Sequence, residues 1–181
     1  MSSSVRLVDY DPQWPILYQE EKASILSLIG DFVVDIQHIG STAVPGLGAK
    51  PIIDIMVAIR RLALIEECFQ PLQTIGYEYR GEYGIPGRYF FRKPPGDPGA
   101  RTHHLHMVER ESDFWERHIL FRDSLRVHPE EAQRYYALKK ELAASFVSDR
   151  DAYTEAKTSF IESVVNKARV SKTQGEPSKP E

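Results

Sequence analysis

The chain has 181 residues, with 23 Lys and Arg against 26 Asp and Glu, a formal net charge of −3 and 41% hydrophobic residues. One domain is the expectation at this length, and the slight acidic excess argues against a nucleic-acid binder working through a broad basic surface. A single cysteine, Cys68, excludes an internal disulfide framework. No stretch reaches the ~20 apolar residues of a membrane span, and the N-terminus has no apolar signal run, so the expected setting is cytoplasmic.

The elements follow in order. Asp11 can cap a helix over residues 11–30 with Pro12 at its first position, a stripe of Trp14, Leu17, Ile25, Leu28 and Ile29, and Gly30 as its stop. Residues 32–39 read as a strand from their β-branched content. Residues 51–59, "PIIDIMVAI", form the clearest strand. Ile53, Ile55, Val57 and Ile59 share one face; Ile52, Asp54, Met56 and Ala58 share the other. Residues 61–77 read as a helix that Pro71 interrupts. Residues 77–81 and 88–93 pair as strands around "GEYGIPG", and residues 101–108 form another strand after a Pro/Gly loop.

The remainder is helical. Ser112 or Asp113 starts one helix, Pro129 a second, and Asp149 or Asp151 a third. Residues 170–181 are polar and Pro-bearing and read as a disordered tail behind a single domain over 1–169. The fold class is α/β: a mixed sheet flanked by helices, with a C-terminal helical layer.

Chemistry concentrates between residues 38 and 57. Gly40 and Ser41 follow a strand, where a glycine lets the backbone approach a ligand and turn amides can hold an anion. Ser41 and Thr42 add hydroxyls, and Lys50 can neutralise phosphate charge. Asp54 stands on an otherwise apolar strand, a costly place for a carboxylate without a partner. It offers a hard oxygen ligand to Mg²⁺. On the later strand, His104 and His106 share a face, as two imidazoles that ligate a transition metal or contact phosphate do. Together with Asp54 they would make a two-His-one-carboxylate set. In the hairpin, Glu82 is a candidate cation ligand or general base, and Arg88 a candidate substrate contact. Arg92 and Lys93 read as cross-strand ion pairs, His118 as a core histidine, and Tyr135, Tyr136 and Tyr153 as packing residues.

The blocks "HIGSTAVPGLGAKPIIDIMV", "GIPGRYFFRK", "RTHHLHMV", "WERHILFRDSLRVHPEEAQRYYALKKELA" and "YTEAKTSFI" resemble the GrpB-like family, from about Tyr10 to Ile161. The resemblance implies the nucleotidyltransferase fold, in which a Gly-Ser turn precedes a strand with two acids one residue apart and a later strand supplies a third. The turn matches Gly40-Ser41 and the first acid matches Asp54; Met56 occupies the second acid's place, and a thioether is a poor Mg²⁺ ligand. The expected function is therefore nucleotidyltransferase-like binding of a nucleotide or other phosphorylated ligand with a divalent cation. The alternatives are a metal-dependent hydrolase on His104, His106 and Asp54, and a non-catalytic nucleotide-binding module.

Overall fold

A computed structural model describes the protein over residues 6–146 and 150–175. Among these residues five strands form one mixed sheet: β1 (Val33–Ile39), β2 (Ile53–Ile59), β3 (Glu78–Tyr79), β4 (Tyr89–Lys93) and β5 (His103–Glu109), in the order β1-β2-β5-β4-β3. β2 and β5 run parallel; the other neighbours are antiparallel. The helices are α1 (Trp14–Ile29), α2 (Phe69–Thr74), α3 (Asp113–Val127), α4 (Pro129–Ser145), α5 (Arg150–Glu155) and α6 (Thr158–Gly175).

The alternation along β2 divides the core. Ile53, Ile55, Val57 and Ile59 join Leu105, Met107 and Phe91 beneath Trp14, Tyr18, Ile25 and Ile29 of α1 and Leu72 of α2. Met56 and Ala58 face the other way, with Ile39 and Val108, and are covered by Trp115 of α3. A third cluster ties Val44 and Leu47 to Phe121, Leu125, Tyr135, Val164 and Val165. Both faces of the central strands are thus closed, as near-continuous apolar runs require.

Several boundaries differ from expectation. Asp11 does not cap α1; its carboxylate accepts from the Gln13 N–H in a turn that precedes the helix, and Pro15 occupies the first turn. The buried stripe of α1 is Trp14, Tyr18, Glu21, Ile25 and Ile29, while Leu17 and Leu28 face outward. The segment before β3 is a 3₁₀ stretch, Leu62–Cys68, followed by the six-residue α2. Pro71 sits in the first turn of α2, where its missing N–H breaks no helical bond. Ser112 does cap α3, accepting from the Trp115 N–H at 3.2 Å. The last helical stretch is two helices, α5 and α6, and Asp149 lies outside the described residues. α6 continues to Gly175, so residues 170–175 of the expected tail are helical; residues 176–181 lie outside the described set. Among the described residues no helix is long and apolar enough to cross a membrane.

Candidate functional site

The site begins where β1 ends. Gly40 takes φ 72°, and a Cβ there would lie 2.6 Å from Oδ2 of Asp54. Glycine is therefore required on two counts: backbone conformation and the closeness of the carboxylate. A short 3₁₀ turn, Ser41–Ala43, follows. Thr42 is buried, its Oγ1 3.0 Å from Nε2 of His38 and donating to Ile52 O at 3.3 Å. It braces the turn against the approach to β2. His38 is stacked on Tyr18, and burial holds it neutral, with a pKa lowered to about 4.

The parallel register places Asp54 beside His104 and Met56 beside His106. His104 Nδ1–H donates to Asp54 Oδ1 at 3.0 Å, and His106 Nε2 lies 3.9 Å from the same oxygen. Burial works to raise the Asp54 pKa, but the His104 hydrogen bond and the nearby His106 imidazole outweigh it and hold the group well below the usual carboxylate range. Burial lowers His106 to about 4, so its imidazole is neutral near pH 7. Met56 is 0% exposed beneath them.

The three expected metal ligands do converge, but as an ion-pair cluster with both imidazoles turned onto the carboxylate. Among the described residues no group of three His, Cys, Asp or Glu side chains stands in the geometry of a metal site. The carboxylate oxygen that both rings face is engaged by the His104 N–H.

Above this cluster opens a cavity of ≈ 350 Å³. Gly40, Ser41, Thr42, Lys50, Asp54, His104 and His106, all named from the sequence, line it. So do Arg117 and His118 of α3, Lys139 of α4 and Lys157 between α5 and α6. Lys139 is only 3% exposed, and its ammonium donates to Ser41 Oγ at 3.0 Å and Gly48 O at 2.6 Å. Burial first, then Lys157 and Lys50, lower its pKa to about 7. Burial likewise lowers Lys157 to about 8, with Asp54 opposing. Tyr153 is a neighbour of two of these lysines: Lys50 Nζ is 4.5 Å and Lys157 Nζ 4.3 Å from its ring centroid. Among the described residues no carboxylate pairs with Lys139 or Lys157 within ion-pair distance. The lining includes Lys50, Arg117, Lys139 and Lys157 beside the Asp54 carboxylate, and Arg117 is itself paired with Glu162 at 3.7 Å.

Glu82 and Arg88 do not reach this cavity. Glu82 accepts from the Gly87 N–H at 2.7 Å across the β3–β4 turn. Arg88 is buried under the same turn, donating to the carbonyls of Glu82 and Tyr83 at 3.0 and 2.9 Å and lying over the ring of Phe90. The structure thus places the Glu82 carboxylate and Arg88 Nη2 in hydrogen bonds of the tight Gly/Pro turn. Arg92 does form the expected cross-strand pair, with Glu78 at 2.6 Å. His118 is buried as expected and donates Nδ1–H to Phe114 O at 2.7 Å, yet its ring also borders the cavity beside His106.

The fold is nucleotidyltransferase-like. Two distant structures share this fold: Cid1 in complex with the UTP analog UMPNPP (TM-score 0.51, 10% identity, 75% of this chain and 42% of that one) and the GLD-2/RNP-8 complex (0.54, 12%, 84% and 60%). More specifically, the GrpB protein family matches residues 4–167, and the chain belongs to that family. It is 38% identical to the glutamate-rich protein GrpB of Alkalihalophilus pseudofirmus over 164 residues, covering 90% of this chain and 94% of that protein. It is 37% identical to the UPF0157 protein YqkA of Bacillus subtilis over 165 residues, 91% of this chain but only 47% of YqkA. The crystal structure of GrpB from Enterococcus faecalis superposes with a TM-score of 0.83 at 35% identity, covering 90% of this chain and 96% of that one.

Proposed function

We propose that the cavity binds a phosphorylated ligand, with a nucleotide as first candidate, together with one divalent cation, and that it supports nucleotidyl transfer. The observation carrying this reading is the charge of the lining. Lys139 is buried and Lys157 partly buried, neither with a described carboxylate partner, beside a Gly-Ser turn and opposite an ionised aspartate. Buried charge of one sign calls for a counter-charge, and phosphoryl oxygens supply it. The UTP analog in the Cid1 structure makes a nucleoside triphosphate the first ligand to try.

In this reading Ser41 and Lys139 hold one phosphoryl group, and Lys50 and Lys157 hold the rest of the chain. Asp54, kept ionised by its histidine contacts, is the residue that would hold the cation, and Mg²⁺ accepts a single carboxylate when phosphate and water oxygens complete its shell. Such a cation would supply charge neutralisation for the departing pyrophosphate. A two-ion site does not fit, because Met56 occupies the second acid's position and is fully buried. An acceptor hydroxyl would then form a new ester bond at the α-phosphorus as the bond to pyrophosphate breaks, its proton passing to solvent.

Met56 also favours a second reading, in which the nucleotide is bound but not transferred. Titration calorimetry with nucleoside triphosphate, with and without Mg²⁺, tests both. Mg²⁺-dependent binding that Asp54→Asn makes Mg²⁺-independent, with pyrophosphate release in an acceptor screen, supports transfer. The same binding without release supports the module. No binding to any nucleoside triphosphate sinks both. The buried thiol of Cys68 is free, which fits work in a reducing compartment such as the cytoplasm.

A further inference from the structure

We infer that Tyr153 is a positioning residue that sets Lys50 and Lys157 as a pair, and that this pair makes the cavity select ligands with two or more linked phosphoryl groups over a single one. The inference rests on the anion-binding reading above and adds the ligand class to it.

Two features carry it. The first is the ring itself. Tyr153 is 1% exposed, so its face is not open as a platform for a ligand; its surroundings include two ammonium groups, at 4.5 and 4.3 Å from the centroid. A cation over an aromatic face is held by the ring quadrupole, more strongly where water is excluded. Lys50 comes from the loop before β2 and Lys157 from the break between α5 and α6, so one ring gathers cations from distant parts of the chain. Lysine side chains are entropically expensive to fix, and fixing them before the ligand arrives lowers the cost of binding.

The second feature is the division of the cavity into two poles. Lys139 is anchored to the Gly-Ser turn through Ser41 Oγ and Gly48 O, and its own aromatic neighbours are Tyr135 and Tyr136, at 4.9 and 5.7 Å. Lys50 and Lys157 lie instead beside the ring of Tyr153. One phosphoryl group satisfies the Ser41–Lys139 pole. A second, linked group is needed to meet the Tyr153 pole.

Calorimetry on the full chain with orthophosphate, pyrophosphate and tripolyphosphate, without divalent cation, is the test. The expected result is pyrophosphate and tripolyphosphate binding at least tenfold tighter than orthophosphate. Tyr153→Phe, which keeps the ring, should keep that ratio. Tyr153→Leu should bring it near one while orthophosphate affinity stays within about twofold. Lys50→Met and Lys157→Met should each lower the ratio, which keeps the inference open to refutation if Tyr153→Leu does not fold. Equal affinity for all three anions in the unaltered protein would overturn the inference and leave the anion-binding reading standing. An unchanged ratio in folded Tyr153→Leu, or an equal loss in Tyr153→Phe, would also overturn it. If none of the anions binds, the anion-binding reading itself falls.

Discussion

Gly40 and Lys139 are the residues on which the site turns, and each makes a separate prediction. A methyl group at position 40 would meet the Asp54 carboxylate on a backbone with φ 72°. Gly40→Ala is expected to cost about 1–3 kcal/mol in denaturant unfolding and to weaken anion binding by more than tenfold, because the turn and the aspartate must separate. Lys139 and Lys157, with pKa values lowered to about 7 and about 8, predict a pH profile. Their ammonium forms bind anions, so affinity should fall as pH rises from 6.5 to 9. Sulfate is a suitable probe because its charge is constant over that range. The limiting slope is about tenfold per pH unit for each proton that binding must take up. Lys139→Met should flatten the profile. Without ligand the sign is opposite: the folded state holds fewer protons on Lys139 than the unfolded chain does between pH 7 and 10.5, so its burial costs most below pH 7 and the cost is relieved as pH rises. These lysines were not legible as site residues. Lys139 lies 98 positions from Ser41 in a stretch rich in charge, where a solvated face is the ordinary reading. The available signal was spacing: Lys139 falls four residues after Tyr135 and seven after Ala132, on the buried stripe of α4.

At the scale of elements, alternation told more than adjacency. The parity of β2 put Asp54 on the face opposite Ile53 and Ile55, and the parity of β5 put His104 and His106 together, and both hold. That β2 and β5 are parallel neighbours in a register setting Asp54 beside His104 is a tertiary fact that no single strand carries. The β3–β4 hairpin shows the converse. Its charged residues looked like ligands because local sequence does not reveal that a turn with Gly81, Tyr83, Gly84 and Gly87 all at positive φ needs polar anchors of its own. Glu82→Ala is therefore expected to lose one hydrogen bond, about 1 kcal/mol in a thermal or denaturant melt, and to leave anion affinity within twofold. A tenfold loss of affinity would return Glu82 to the site. Splitting of the last helix was equally hidden, and it is the break after Glu155 that brings Lys157 to the cavity.

For the molecule as a whole, the sheet separates a face that stabilises from a face that binds. Leu72 is 0% exposed in the core under α1 and α2, on the side away from Asp54. Leu72→Ala should cost about 2–5 kcal/mol in unfolding while anion affinity at 10 °C, well below the melt, stays within twofold. The α/β class and mixed sheet were legible because hydrophobic period and turn chemistry agree along most of the chain. The cavity was only half legible, since its floor comes from one compact stretch and its roof from helices a hundred residues later.

The Ser41–Lys139 bond has a thermodynamic corollary. A ligand gripping both poles fastens the first third of the chain to the last, so occupancy should protect amides of β1 and α4 together against hydrogen exchange. Ligand at a hundredfold excess over its dissociation constant would add about 2.7 kcal/mol to global unfolding. A fragment ending before α4 would present the glycine bend and the aspartate with nothing to clasp.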